Sequence, residues 1–450
     1  YVRYLVVLAA ACGFVIALLA MTNLMGRELF PQIDSSQVQL FIRMPTGTNI
    51  DTTEQTIIQV ENEIKKIIGD PDPAYAVGRE EKKTSDLILL VSNTGVLMDW
   101  PAAYTPNTGA MDTFMLLQTK GRKSIFDYVT TLRKTLVEKF PEVEFAFDTG
   151  GMLTAALNMG EPSPIHFQIQ SSNLERAQHV ARHIVDVAKD TEGTVDVRIA
   201  QRIDFPILNV NMDRIEAKKQ GLDPDEVMKN LVAATNSSIN FQPAFWIDKN
   251  KGNHYFFGVQ YLEEELDSIE ALKNIPLGRG EHGPRRLENV ATFDDTQRAP
   301  AVINHRNITR VTDVYVNVEP GYDVGSVVGK IEAGLERLGS KPDSDERGAL
   351  YRIGYHTDQA VREQKVTAEE IERIPLSDGR LAGRNFKGIT FRMMGEVATM
   401  RESIAQFTGG LIIAAVLVYL VMVAQFRSFV DPFIVLLTVP LGFIGVVVVL

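Results

Sequence analysis

Residues 404–450 read IAQFTGGLIIAAVLVYLVMVAQF, RSFVDP and FIVLLTVPLGFIGVVVVL: two uncharged apolar runs joined by a short polar turn. About 20 residues at 1.5 Å rise cross a hydrocarbon core of about 30 Å. The Leu, Ile, Phe and Val side chains between Ile404 and Val423 together favour insertion by roughly −3 to −7 kcal/mol. The alternative is a helical hairpin buried in a soluble core, and two back-to-back uncharged runs of this length count against it. The stretch is therefore expected to be a membrane hairpin, with spans at 401–426 and 432–450.

The start of the chain matches it. YLVVLAAACGFVIALLAMTNLM, residues 4–25, is uncharged and bounded by Arg3 and Arg27. A secretory signal peptide is the rival, but the run is long for an h-region and MTNLMG has no small-x-small cleavage site. A transmembrane helix over residues 1–26 is expected, and the whole is expected to be a piece of a longer membrane protein. One crossing before the large polar region and a return at residue 404 put that region on one side. Arg3 and Arg427 then share the other side, the cytoplasmic one by the positive-inside tendency.

Of the 450 residues, 45% are hydrophobic and 23% charged, and the charged ones lie mostly between the apolar ends. A polar region of that length implies at least two domains. The net charge of −11, with no basic stripe, argues against nucleic acid as a partner. The one cysteine, Cys12, lies in the first apolar span, so the polar region uses no disulfides and the compartment stays open on that count.

From Arg27 the polar region follows a repeated pattern. Residues 38–44 predict a strand, a turn follows at Pro45 and Gly47, and Asp51 or Thr52 is the expected helix cap. Ile57, Val60, Ile64, Ile67 and Ile68 recur at 3–4 spacing, the apolar face of a helix. Strands at 87–91 and 114–117, a helix in SIFDYVTTLRKTLVEKF and a strand in VEFAF complete a β-α-β, β-α-β order, as in ferredoxin-like units. The order recurs with strands at 165–169, 195–199, 311–318 and 389–394 and helices at 174–188 and 325–338. Between them, FPILNVNMDRIEAKKQGLDPDEVMKNLVAA predicts a strand and two helices, the second capped at Asp223. Residues 339–388 are polar and Gly-rich, with no element predicted. The fold class is an α+β membrane protein.

Three stretches carry a family resemblance. FPQIDSSQVQLFIRMPTGTNIDTTEQTIIQVENEI, NVNMDRIEAKKQGLDPDEVMKNL and MGEVATMRESIAQFTGGLIIAAVLVYLVMVAQFRSFVDPFIVLLTVPLGFIG resemble the C-terminal half of resistance-nodulation-division (RND) efflux permeases, hydrophobe/amphiphile multidrug type. The resemblance implies a seventh transmembrane helix at 1–26 and a porter subdomain at 27–164. It implies a second porter subdomain at 165–204 and 293–400, with a docking subdomain at 205–292 and an insertion at 339–388. The eighth and a truncated ninth helix would follow. It further implies an inner-membrane homotrimer of a Gram-negative-type bacterium, mostly periplasmic here. A periplasmic adaptor, an outer-membrane channel, membrane lipid and amphiphilic small molecules would be its partners. Proton carriers would lie on helices outside this chain, since none of its three uncharged runs, 4–25, 404–426 and 432–450, holds Asp, Glu, Lys or Arg.

For substrate the resemblance singles out the switch-loop position, residues 93–107, with Met98, Trp100 and Tyr104, and Phe114 on the strand after it. Aromatic and thioether groups bind varied apolar shapes through area and polarisability. FQPAFWIDKNKGNHY, residues 241–255, suits an arm reaching a neighbouring subunit. Other chemistry is weaker. Met115 and Met152 do not make a soft-metal site where Thr48 and Asn49 stand in the turn, so metal-ion efflux is a lesser alternative. His179 and His183, spaced i,i+4, have no third ligand at fixed spacing and are expected on solvated surface. No nucleophile–base pair or phosphate loop is present, so neither an enzyme nor a cofactor is expected. A membrane-anchored extracytoplasmic binding or assembly protein on the same scaffold is the alternative function.

Overall fold

The computed structural model describes residues 26–29, 33–72, 85–96, 106–149, 161–280, 283–294, 297–335, 342–343, 350–353 and 389–436. The span expected at 1–26 and most of the one at 432–450 lie outside them. The chain divides into a unit formed by 204–299 and a larger unit formed by the rest.

The larger unit holds two modules built alike. In the first, β1 (Gln37–Arg43), α1 (Ile50–Ile68), β2 (Leu87–Thr94), β3 (Asp112–Thr119), α2 (Ile125–Lys139) and β4 (Glu144–Thr149) follow one another. Its antiparallel sheet has the order β2-β3-β1-β4. Along β1, Val38, Leu40 and Ile42 are buried while Gln39, Phe41 and Arg43 are only partly so. That is the period of two expected of a sheet covered by helices on one face. Ile57, Val60, Ile64 and Ile68 of α1 and Val129, Leu132 and Leu136 of α2 supply the cover. The cap of α1 is Asn49, whose side chain accepts from the Thr52 N–H, not Asp51 or Thr52. An Asx side chain just before the first turn satisfies an otherwise orphaned donor there.

In the second module β5 (Ile165–Gln170), α3 (Leu174–Lys189) and β6 (Thr194–Ile199) come before the 204–299 unit. After it come β7 (Thr309–Val318), α4 (Val324–Leu335) and β8 (Ile389–Met394). The order β6-β7-β5-β8 repeats that of the first sheet. The core is Phe167 edge-on to Phe391, with Ile165, Ile169, Val314 and Val316 beneath α3 and α4. The described part of the expected insertion adds strands Pro342–Asp343 and Leu350–Ile353 to the β8 edge, so this polar segment extends the sheet where no element was predicted.

The 204–299 unit has its own core of Ala217, Leu222, Val227, Ile275, Leu277 and Leu287. Asp223 caps Pro224–Asn236, as its sequence predicts. Ala244–Ile247 and His254–Phe257 form a hairpin with both strands exposed, including Phe245, Trp246, Phe256 and Phe257.

After β8 comes α5 (Glu396–Phe426), 31 residues. Among the described residues it is the one helix long and apolar enough to cross a membrane. Arg427 stops it in the left-handed conformation, and Ser428 Oγ then accepts from the Val430 and Asp431 N–H groups to open the next helix. Leu29 N–H donates to Glu396 at 3.0 Å, and Arg27 N–H to Asp323 at 2.8 Å. The segment after the first apolar run is thus tied to the start of α5.

A candidate ligand cleft between the two modules

The helix-free faces of the two sheets enclose a cavity of about 570 Å³, within the range of small-molecule sites. Its walls come from β1 and β4 on one side and β6 and β7 on the other. Phe41, Arg43, Glu144 and Phe145 face Arg198, Gln201, Val302 and Tyr315. Register explains the placement. Phe41 and Arg43 belong to the face of β1 that the helices leave open, and Arg198 pairs directly with Tyr315, which pairs with His166.

Three arginines join the modules. Arg43 donates to the carbonyls of Ile199 and Ala200 at 3.0 and 2.9 Å. Arg202 donates to Met44 O, Thr46 Oγ1 and Asp112 Oδ1, the last at 2.7 Å. Arg133 grips Asp196 at 3.1 and 2.6 Å in the forked geometry a guanidinium favours. Burial raises the Asp112 carboxyl, but bonds from Thr108 and Arg202 outweigh it and hold the group below its ordinary range.

Behind the cavity wall lies a buried polar cluster. Asp313 accepts from His166 at 2.9 Å, Gln168 at 3.1 Å and Gln201 at 2.6 Å, and Glu161 Oε2 stands 2.8 Å from the other His166 nitrogen. Burial lowers the His166 pKa, but Asp313 and then Glu161 reverse that and raise it. Burial raises the Asp313 carboxyl, and the His166 bond leads the groups that pull it down overall. Asp148 is pushed up to about 7 by burial, against the pull of Arg198 and with a further push from Asp196.

Met98, Trp100 and Tyr104 lie outside the described residues. The neck of their loop is described: Asn107 Nδ2 donates to Asn93 O, Asn93 Oδ1 and Gly95 O at 2.9, 3.1 and 2.9 Å, and Pro106, Asn107 and Thr108 line the cavity. Phe114 packs on Phe41, ring centroids 5.3 Å apart, and is not itself among the wall residues. Met115 is fully buried in the first core, which removes it from any soft-metal site, and Met152 lies outside the described residues. His179 is buried, and burial lowers the His183 pKa, so the solvated surface expected of this pair is corrected. His179 shares the apolar face of α3 with Ala177, Val180 and Ile184, and His183 is half-buried beside it. No cluster of three metal-ligating side chains occurs among the described residues.

Sequence reasoning missed Arg43, Arg198, Arg202, His166, Asp112 and Asp313. The available signal was polar alternation inside strongly apolar strands, as in IHFQIQ and TDVYVN.

Two ferredoxin-like modules, the second interrupted by an inserted unit, precede a helix of membrane-crossing length, which is the arrangement of an RND-type permease half. The chain belongs to the AcrB/AcrD/AcrF family, whose model matches residues 3–341 and 384–450. The internal unmatched residues, 342–383, fall within the polar 339–388 stretch. Cobalt-zinc-cadmium resistance protein CzcA of Cupriavidus metallidurans is 22% identical over 347 residues, covering 74% of this chain and 30% of that protein. Cation efflux system protein CzcA of an Alcaligenes species matches with the same identity and coverage. The fold is shared with a crystal structure of a heavy metal efflux pump, at TM-score 0.68 and 15% identity, over 98% of this chain and 39% of that one. This chain therefore spans less than half the length of the proteins it resembles.

Proposed function

We propose that this chain is part of an inner-membrane efflux permease and that the inter-module cleft is a station on the path of organic amphiphiles. The observation that carries the reading is the composition of the cleft wall. Aromatic and aliphatic surface from Phe41, Phe145, Val302 and Tyr315 stands beside guanidinium groups, while the deepest wall carboxylate, Asp112, is already bonded to Arg202. A hydrated divalent cation would meet positive charge there and a carboxylate already committed. An amphiphile finds apolar area and hydrogen-bond donors.

The names of the relatives favour a second reading, export of metal cations. Growth inhibition separates the two. Cells carrying the complete permease are expected to tolerate dyes and detergents better than cells lacking it, with unchanged sensitivity to cobalt, zinc and cadmium. Protection against the metals alone would reverse the assignment.

A further inference from the structure

Arg198 is the one wall residue of the cleft whose charge the fold leaves uncommitted. Its guanidinium carbon lies 4.5 Å from the centroid of the Phe41 ring and 5.5 Å from that of Tyr315. Aromatic faces hold a guanidinium in place without consuming its in-plane donors. Its Nη1 is buried and makes no hydrogen bond. Each acidic group nearby has another claim on it or a weak one on Arg198. Asp196 is gripped by Arg133, and Asp112 by Arg202. Glu144, 58% exposed at the rim, lies 3.8 Å from Arg43. Asp148 is the remaining carboxyl, and burial pushes it up to about 7 against the pull of Arg198. Arg43, the other cation of the wall, spends its donors on two backbone carbonyls.

We infer that Arg198 is a specificity-determining residue of the cleft, selecting amphiphiles that carry a carboxylate or sulfonate. An oxyanion entering the cavity would meet a fixed guanidinium with free donors, while the hydrophobic body of the ligand covers Phe145 and Val302. Bonds to a charged partner of this kind are worth about tenfold or more in affinity. This inference rests on the cleft being a ligand site, and the test keeps the two apart.

The probes are 8-anilinonaphthalene-1-sulfonate and its uncharged relative N-phenyl-1-naphthylamine, which share an aryl-aminonaphthalene body. Val302→Trp places an energy-transfer donor at the cleft, at a position 43% exposed in the native chain. Transfer in excess of that from the Val302 chain reports dye in the cleft, measured on the full chain in detergent. The sulfonate is expected to bind more tightly than the neutral dye, and Arg198→Gln to weaken it about tenfold while leaving the neutral dye within about twofold. Retained binding of the neutral dye also shows that the variant is folded. Should Arg198→Gln lose both dyes, Arg198→Lys becomes the deciding variant: it must keep the preference for the sulfonate, and its loss overturns the inference. Equal weakening of both dyes, or none, in a folded Arg198→Gln protein overturns the anion anchor and leaves the cleft a ligand site. Absence of excess transfer with either dye overturns both.

Discussion

Replacing Asp313 with Ala is expected to lower stability by roughly 3 kcal/mol or more, because it strips a buried imidazole and two amides of their common partner. Asp313 is 5% exposed, and its oxygens receive His166, Gln168 and Gln201. In a domain of this size that loss corresponds to a fall of roughly ten degrees in the melting midpoint. Lys219→Ala is the contrast: its partner Glu216 is 3.2 Å away with both side chains exposed, so the midpoint should barely move. The sign of the pH dependence follows from both partners. The lowered carboxyl stabilises above its ordinary value of 3.8 and loses that contribution as acid protonates it in the fold. The raised imidazole stabilises below its ordinary value of 6.5 and loses its contribution as pH climbs through the folded value. The gap between native and Asp313→Ala proteins should therefore be widest between those two ordinary values. A gap independent of pH would mean that the cluster is held by shape alone.

Asp148→Asn should act in the opposite direction. A carboxyl raised from 3.8 to about 7 costs the folded state nothing in acid, an increasing amount between those values and a constant amount above. At roughly 1.4 kcal/mol per pH unit, reduced because the group is only partly buried, the penalty at pH 8 is roughly 3 kcal/mol. The amide removes the ionisation and keeps the size. Melting midpoints of the two proteins should coincide near pH 4 and separate towards pH 8, with the variant the more stable. A variant less stable at pH 8 would show that the charged Asp148–Arg198 attraction outweighs desolvation.

These two residues show where sequence is informative. The isoleucine spacing of α1 and the alternation in VQLFIRM report apolar faces, and apolar faces fix which side of each sheet the helices cover. The repeated ferredoxin-like order was legible for that reason, even with a 96-residue unit set between β6 and β7. The cleft was not legible, because it exists only where two helix-free faces meet. Arg43 and Arg198 are 155 positions apart, and nothing local to either says that one will donate to the Ile199 and Ala200 carbonyls while Nη1 of the other bonds to nothing. His179 misled for a related reason: a histidine on an amphipathic helix reads as surface until register turns it inward. The aromatic residues of 241–255 announced an exposed arm, and a hairpin with both strands exposed is what stands there.

If substrate passes between the two modules, covalent obstruction of the cleft must stop export. In the complete permease with Cys12→Ser and any cysteine outside this chain also replaced, Val302→Cys offers a bulky membrane-impermeant maleimide a single thiol on the cleft wall. Efflux of a fluorescent amphiphile from preloaded cells is then followed before and after labelling. Normal export is expected before labelling and a severe loss after it, with the parent lacking Val302→Cys unaffected by the reagent. Full labelling of Val302→Cys with export unchanged would contradict it.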